Sequence, residues 1–248
     1  MFTTGKHLYL YIAVGLYVSA LLLFCFRARR VSFPVFFIGF IINILYLIGR
    51  GWLGGVFSPN PIVEGPFLLP CGVALLALLK RFGDDEEWGL LLIPTILFAL
   101  FSLWHAKGII PPTPQKMTLW AVGFFVTEVS AHACFYCGAF LALVDILRKR
   151  NGSSFHPFIV WGFVLFSISQ VVGAVWAYLG WGHTFSWGPR HMTTAGIWIM
   201  YAAYLHLRFM PEWGIQRRRV FAVIAAGILF FFSFGHYIHE MNFPRIGG

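Results

Sequence analysis

Charge is what this sequence has least of. Asp, Glu, Lys and Arg make up only 11% of its 248 residues, and just nine residues are acidic. Soluble domains carry roughly 25% charged residues, so an ordinary water-soluble globule is excluded. Cysteine is scarce too: Cys25, Cys71, Cys134 and Cys137 all fall within apolar runs. Cys134 and Cys137 form a Cys-x-x-Cys, but no His follows the second and the pair lies inside a helical stretch. That excludes the usual attachment motif of a c-type cytochrome and argues against a thioredoxin-like role. All four cysteines read as small, buried helix-packing residues. The sequence has no glycine-rich phosphate loop and no hydrolytic triad pattern, so nucleotide-driven and hydrolytic chemistry have no support. It also lacks internal repeats, low-complexity tracts and paired broken helices, which disfavours a transporter of small solutes. A small-residue cleavage site is missing after the first apolar run, so that segment is expected to be a retained helix.

What is abundant is apolar surface: 59% of residues are hydrophobic and the mean hydropathy is +0.77. Eight stretches approach the ~20 residues that cross a bilayer as a helix. They are His7–Phe26, Val31–Leu53, Phe67–Leu79, Trp88–Trp104, Met117–Leu147, Pro157–Leu179, Thr193–Phe209 and Val220–His239. The expected fold is all-α: a polytopic membrane bundle of about eight transmembrane helices, one membrane domain spanning residues 1–248. The segment Gly51–Pro66 reads as an irregular loop at the surface or folded back over the bundle. The net charge of +9 suits a positive-inside bias better than a nucleic-acid partner. With both termini outside, twelve of the eighteen Lys and Arg fall on the inner side and six on the outer. This arrangement puts residues 180–192 on the outer face of a bacterial cytoplasmic membrane or an organellar equivalent, with lipid as the surrounding partner.

Aromatic rings concentrate in one place. Trp176, Trp181, Phe185 and Trp187 lie within twelve residues, interleaved with Gly180, Gly182 and Gly188 and followed by Arg190 and His191. Flat rings on a turning backbone beside imidazoles suit a flat, metal-bearing ligand; an aromatic belt at the membrane surface is the plainer reading. The whole stretch Gly173–Arg208 resembles the tryptophan-rich signature of the CcsA/ResC/CcmC-type cytochrome c assembly proteins, haem-handling membrane proteins, and is closest to the CcsA/ResC branch. Gly173 to Ala177 fit its first part. Trp181, Gly182, Ser186, Trp187 and Pro189 fit the second, and Trp198, Tyr201, Tyr204, Leu205, His206 and Arg208 the third. The signature departs at Phe185, where the family has Trp, and at Gly188, where it has Asp. It departs again at Arg190, usually Lys, and at His191, where the family has Glu.

Nine histidines are many for this composition, and an imidazole inside a membrane usually has a partner or a function. Helix rise puts His132 about one and a half turns below the outer boundary of its span, at ~1.5 Å per residue. His236 and His239 approach the same depth from the last span. Two neutral imidazoles from different helices suit bis-His ligation of haem iron. The alternative for His132 is a helix-packing role. Glu128, one turn before His132, is placed to orient its ring. For His7 and His105 an interfacial role is favoured; for His183 and His191 both readings stay open. Arg190 suits a haem propionate or an ordinary surface position.

The resemblance implies that haem, b-type and not covalently held, is bound by His132 with His236 or His239. It places Trp176, Trp181, Phe185, Trp187 and Arg190 around the ring. His206 matches a family histidine that meets haem within the membrane, its second ligand supplied by a CcsB/ResB-like subunit; a snorkelling interfacial His is the alternative. The implied function is haem delivery at the outer face for attachment to apocytochrome c, with no side-chain nucleophile, as a component of a haem lyase. Two rivals keep the fold. One is a subunit that holds haem b permanently for electron transfer or contact with quinol, and the other a HemX-like accessory protein.

Overall fold

A computed structural model describes the backbone of residues 7–53, 61–81, 85–104, 117–150 and 154–240. Side chains are described throughout these segments except at residues 53, 61–66, 85, 189 and 235–240. Eight helices account for almost all of the described chain: α1 Leu8–Cys25, α2 Arg29–Leu53, α3 Pro61–Arg81, α4 Asp85–Trp104, α5 Leu119–Leu147, α6 Phe155–Trp181, α7 Pro189–His206 and α8 Ile215–Glu240. A 3₁₀ turn, Leu207–Phe209, extends α7. No strand occurs among the described residues. In lipid every backbone polar group must be satisfied internally, and helices do this within a single segment. Five of the helices, α1, α2, α4, α5 and α6, are long and apolar enough to cross a bilayer by length and composition. The molecule is a multi-pass membrane bundle.

The expected segments are all helical, but the third begins earlier than hydropathy suggests. Helix α2 continues to Leu53 and α3 starts at Pro61, so the connection expected over Gly51–Pro66 is helical at both ends. The Gly and Pro residues there read as loop punctuation. Membrane helices tolerate both, and Pro is well suited to a first helical position. A second correction concerns cysteine. Cys134 and Cys137 are buried, whereas Cys25 is exposed at the end of α1, so it is no packing residue.

Helix α5 is the hub. It packs most extensively against α6 and also meets α3, α4 and α8. Its N-terminus is capped by Thr118, whose side-chain oxygen accepts from the Ala121 N–H at 3.2 Å, which satisfies one orphan donor of the first turn. The α5–α6 contact is close because Gly173 has no side chain: a Cβ there would lie 2.7 Å from the Phe124 ring. Small residues at such crossings let backbones approach. Helices α1 to α4 pack around Trp88, against which Phe24, Phe33 and Phe36 all lie. Helix α7 packs lightly against α6 and α8 and reaches α5 through side chains, with Tyr201 stacked on Phe135. Phe124, Phe125, Ala121 and Trp176 form a small apolar cluster of their own, separate from the main core.

Candidate functional site

That small cluster is the floor of a cavity of about 1000 Å³. Its walls are the second half of α6, the first half of α7 and the loop between them, with Phe124 of α5 beneath. The local sequence makes this shape. Gly182 ends α6 at φ +76°, a left-handed conformation that Gly adopts without strain. Its N–H donates to the Tyr178 carbonyl at 2.8 Å. Six residues later the chain is extended at Gly188, and Pro189 opens α7 at its first position. The loop is therefore held at both ends by backbone geometry.

The aromatic rings are ordered against one another. Trp176 is 7% exposed. It stacks on Phe124 with centroids 5.8 Å apart and meets Trp181 edge-on at 5.2 Å. Phe185 lies edge-on to Trp187 at 5.4 Å and tilted against His191 at 5.4 Å. Trp176, Trp181, Phe185 and Arg190 all line the cavity. Trp187 stands apart: it is 81% exposed and not among the lining side chains. Across the cavity, Trp198 of α7 donates its indole N–H to Ser167 Oγ at 3.0 Å, tying α7 to α6.

Arg190 reaches back to α5. Its guanidinium lies 3.6 Å from the Glu128 carboxylate and over the rings of Phe124 and Phe125, at 5.2 and 5.3 Å. Glu128 thus answers to Arg190. The sequence expectation that Glu128 orients His132 is replaced by an ion pair that closes the cavity floor. His132, one turn further along α5, stacks against Phe166 at 5.9 Å, and its Nε2 is buried without a hydrogen-bond partner. It lies beneath the cavity and is not among the lining residues. His206 is exposed at the far end of α7, with Nδ1 donating to the Ala202 carbonyl at 2.8 Å. His236 and His239 lie on α8, but their side chains fall outside the described residues, as does His105 altogether.

Two imidazoles that sequence reasoning left open, His183 and His191, line the cavity instead. Ser186 Oγ and His191 Nδ1 are 2.8 Å apart. Burial lowers the proton affinity of His191, and Arg190 and His183 act in the same direction. The signal in the sequence was the short spacing of Ser186 and His191 across the start of a helix.

Residues 6–240 match the family described as "Cytochrome C assembly protein". The chain belongs to that family. It is similar to the "Cytochrome c biogenesis protein CcsA" of Prochlorococcus marinus (strain MIT 9515), 26% identical over 89% of this chain and 85% of the relative. The protein of that name from P. marinus subsp. pastoris is 25% identical over 98% of this chain and 90% of its own length. That of P. marinus (strain MIT 9303) is 42% identical over 37% of this chain and 29% of its own. Haem is the group such a family handles, and the residues present fit it. The cavity is at the upper end of the ~300–1000 Å³ range of ligand sites. Its wall is largely aromatic, Arg190 supplies a cation for a carboxylate, and His183 and His191 supply imidazole.

Proposed function

We propose that this protein holds haem at the outer face of the membrane and presents it for covalent attachment to apocytochrome c. One observation carries the reading: the cavity beside the tryptophan-rich loop, lined by Trp176, Trp181, Phe185 and Arg190, the last held by Glu128 at 3.6 Å. Similarity to proteins named for cytochrome c biogenesis supports it. The haem is b-type and non-covalent, since its vinyl groups must stay free for the thiols of a Cys-x-x-Cys-His segment, which add across them to form thioethers. The protein supplies no side-chain nucleophile. It positions the substrate and keeps water from the ring. Arg190 is placed to receive a propionate, as guanidinium matches carboxylate geometry. His132, with its unpartnered Nε2, is offered as an iron ligand from below, and His236 or His239 as its counterpart from α8. His206 is exposed for a haem shared with a CcsB/ResB-like subunit. The balance of Lys and Arg supports both termini and the loop lying outside.

The test is the absorption spectrum of the purified protein with its membrane partners, oxidised and dithionite-reduced, with pyridine haemochrome quantitation. Near-stoichiometric b-type haem is the expected outcome. A folded sample that neither contains haem nor takes it up when titrated sinks the reading.

A further inference from the structure

We infer that the tryptophan-rich loop carries its own haem-iron ligand, His191, with Ser186 as the residue that positions it. This rests on the reading of the cavity as a haem site and makes His191 the second imidazole of the iron beside His132, in the place given above to a histidine of α8.

The geometry has three parts. His191 lines the cavity, on the same surface as Trp181 and Phe185. Its Nδ1 is held by Ser186 Oγ at 2.8 Å. An imidazole that donates its Nδ1 proton to a neighbouring oxygen carries its lone pair on Nε2, the atom left for a metal. The ring is also braced by Phe185, whose centroid is 5.4 Å away at 52°. The hydrogen bond and the aromatic contact together fix the plane of the ring and leave Nε2 as the nitrogen not engaged by Ser186.

The backbone adds a third constraint. His191 stands in the first turn of α7, two residues after Pro189, where the Met192 N–H donates to the Gly188 carbonyl at 3.2 Å. The backbone that carries the ring is therefore held within the first turn of the helix. His183 lines the same cavity, but it is exposed and sits on the loop with no hydrogen bond holding its ring among the described residues. His191 is the better pre-organised of the two. His132 stands on a different helix, α5, and belongs to a different set of ring contacts, with Phe166 and Tyr136.

The experiment titrates haem into the full-length protein in detergent and records optical and EPR spectra of wild type and of His191→Gly, Ser186→Ala and His183→Ala. The expected result for His191→Gly is conversion of a low-spin, six-coordinate spectrum to a high-spin one, reversed by added imidazole. Because imidazole also ligates free haem, the reversal is read on protein separated from unbound haem by gel filtration, where elution at the wild-type position shows that the variant is folded. Ser186→Ala is expected to weaken haem binding by about tenfold, the usual loss when a group that orients a ligand is removed, and to shift the reduction potential while the spectrum stays low-spin. His183→Ala, at the other imidazole of the same cavity, is expected to keep the spectrum low-spin whatever it costs in affinity. A low-spin spectrum that survives His191→Gly overturns the inference and leaves the haem reading standing, as does a spectral change that follows His183→Ala instead. A folded wild-type protein that takes up no haem overturns both.

Discussion

Helix α5 carries one carboxylate near each end, and each meets an arginine from α7 or α8. At the loop end Glu128 faces Arg190 at 3.6 Å; at the other end Asp145 faces Arg219 at 3.5 Å. The chemistry and the spacing are the same, but the surroundings are not. The Asp145–Arg219 side chains are 8% and 3% exposed, while Arg190 is 48% exposed. A buried pair is a clamp whose rupture strands a charge. A half-open pair beside a cavity can exchange one carboxylate for another at little cost. The molecule is sealed at one end and adaptable at the other, and the adaptable end holds the cavity.

Four substitutions break or sharpen this contrast. The largest effect is expected for Arg219→Ala, which leaves Asp145 unpaired and costs about 3–5 kcal/mol, read as a fall in thermal unfolding temperature in detergent. Haem affinity of the surviving folded protein should be unchanged; a selective loss of haem would break the contrast. Next comes Gly173→Ala. The added Cβ meets the Phe124 ring, and overpacking of this kind costs about 1–3 kcal/mol. Because Phe124 stacks on Trp176, haem binding should weaken along with stability. Arg190→Gln should lower stability by about 1 kcal/mol or less, as expected for a half-exposed pair, yet weaken haem binding measurably by titration. Equal damage from Arg190→Gln and Arg219→Ala to stability would make the two ends alike. The smallest effect is expected for Trp187→Ala: within about 0.5 kcal/mol, as for exposed side chains away from special features, with haem content unaltered. A large loss of haem there would return Trp187 to the site.

The sequence carried the bundle, since apolar runs of spanning length and arginines at their ends survive any detail of packing. It carried the loop's clustering as well: Trp176, Trp181, Phe185 and Arg190 come to line one cavity. What it did not carry was direction. Trp187 belongs to the same cluster but faces outward, because a loop has no repeat from which a side chain's heading can be read. Helical spacing puts Glu128 and His132 on one face, yet the carboxylate goes to Arg190, 62 residues away, a contact that only the α5–α7 packing reveals. The start of α3 was hidden because Pro and Gly mark loops in water and not in lipid. The pairing of Ser186 with His191 was visible only as proximity, and its hydrogen bond depends on how Gly188 and Pro189 turn the chain.

That turn has a further effect. Gly182 stops α6 by its backbone alone, with nothing within 4 Å of where a Cβ would sit, and a proline, Pro189, stands at the first position of α7. The loop's path is therefore written in its two end residues. The six between, His183 to Gly188, carry little of the burden of folding and behave as an exchangeable insert. Their side chains can be traded for others without redirecting the chain, so a ring can be lost at one position and an imidazole kept at another while the frame stays fixed. Diversification within such a frame is a matter of chemistry and not of architecture.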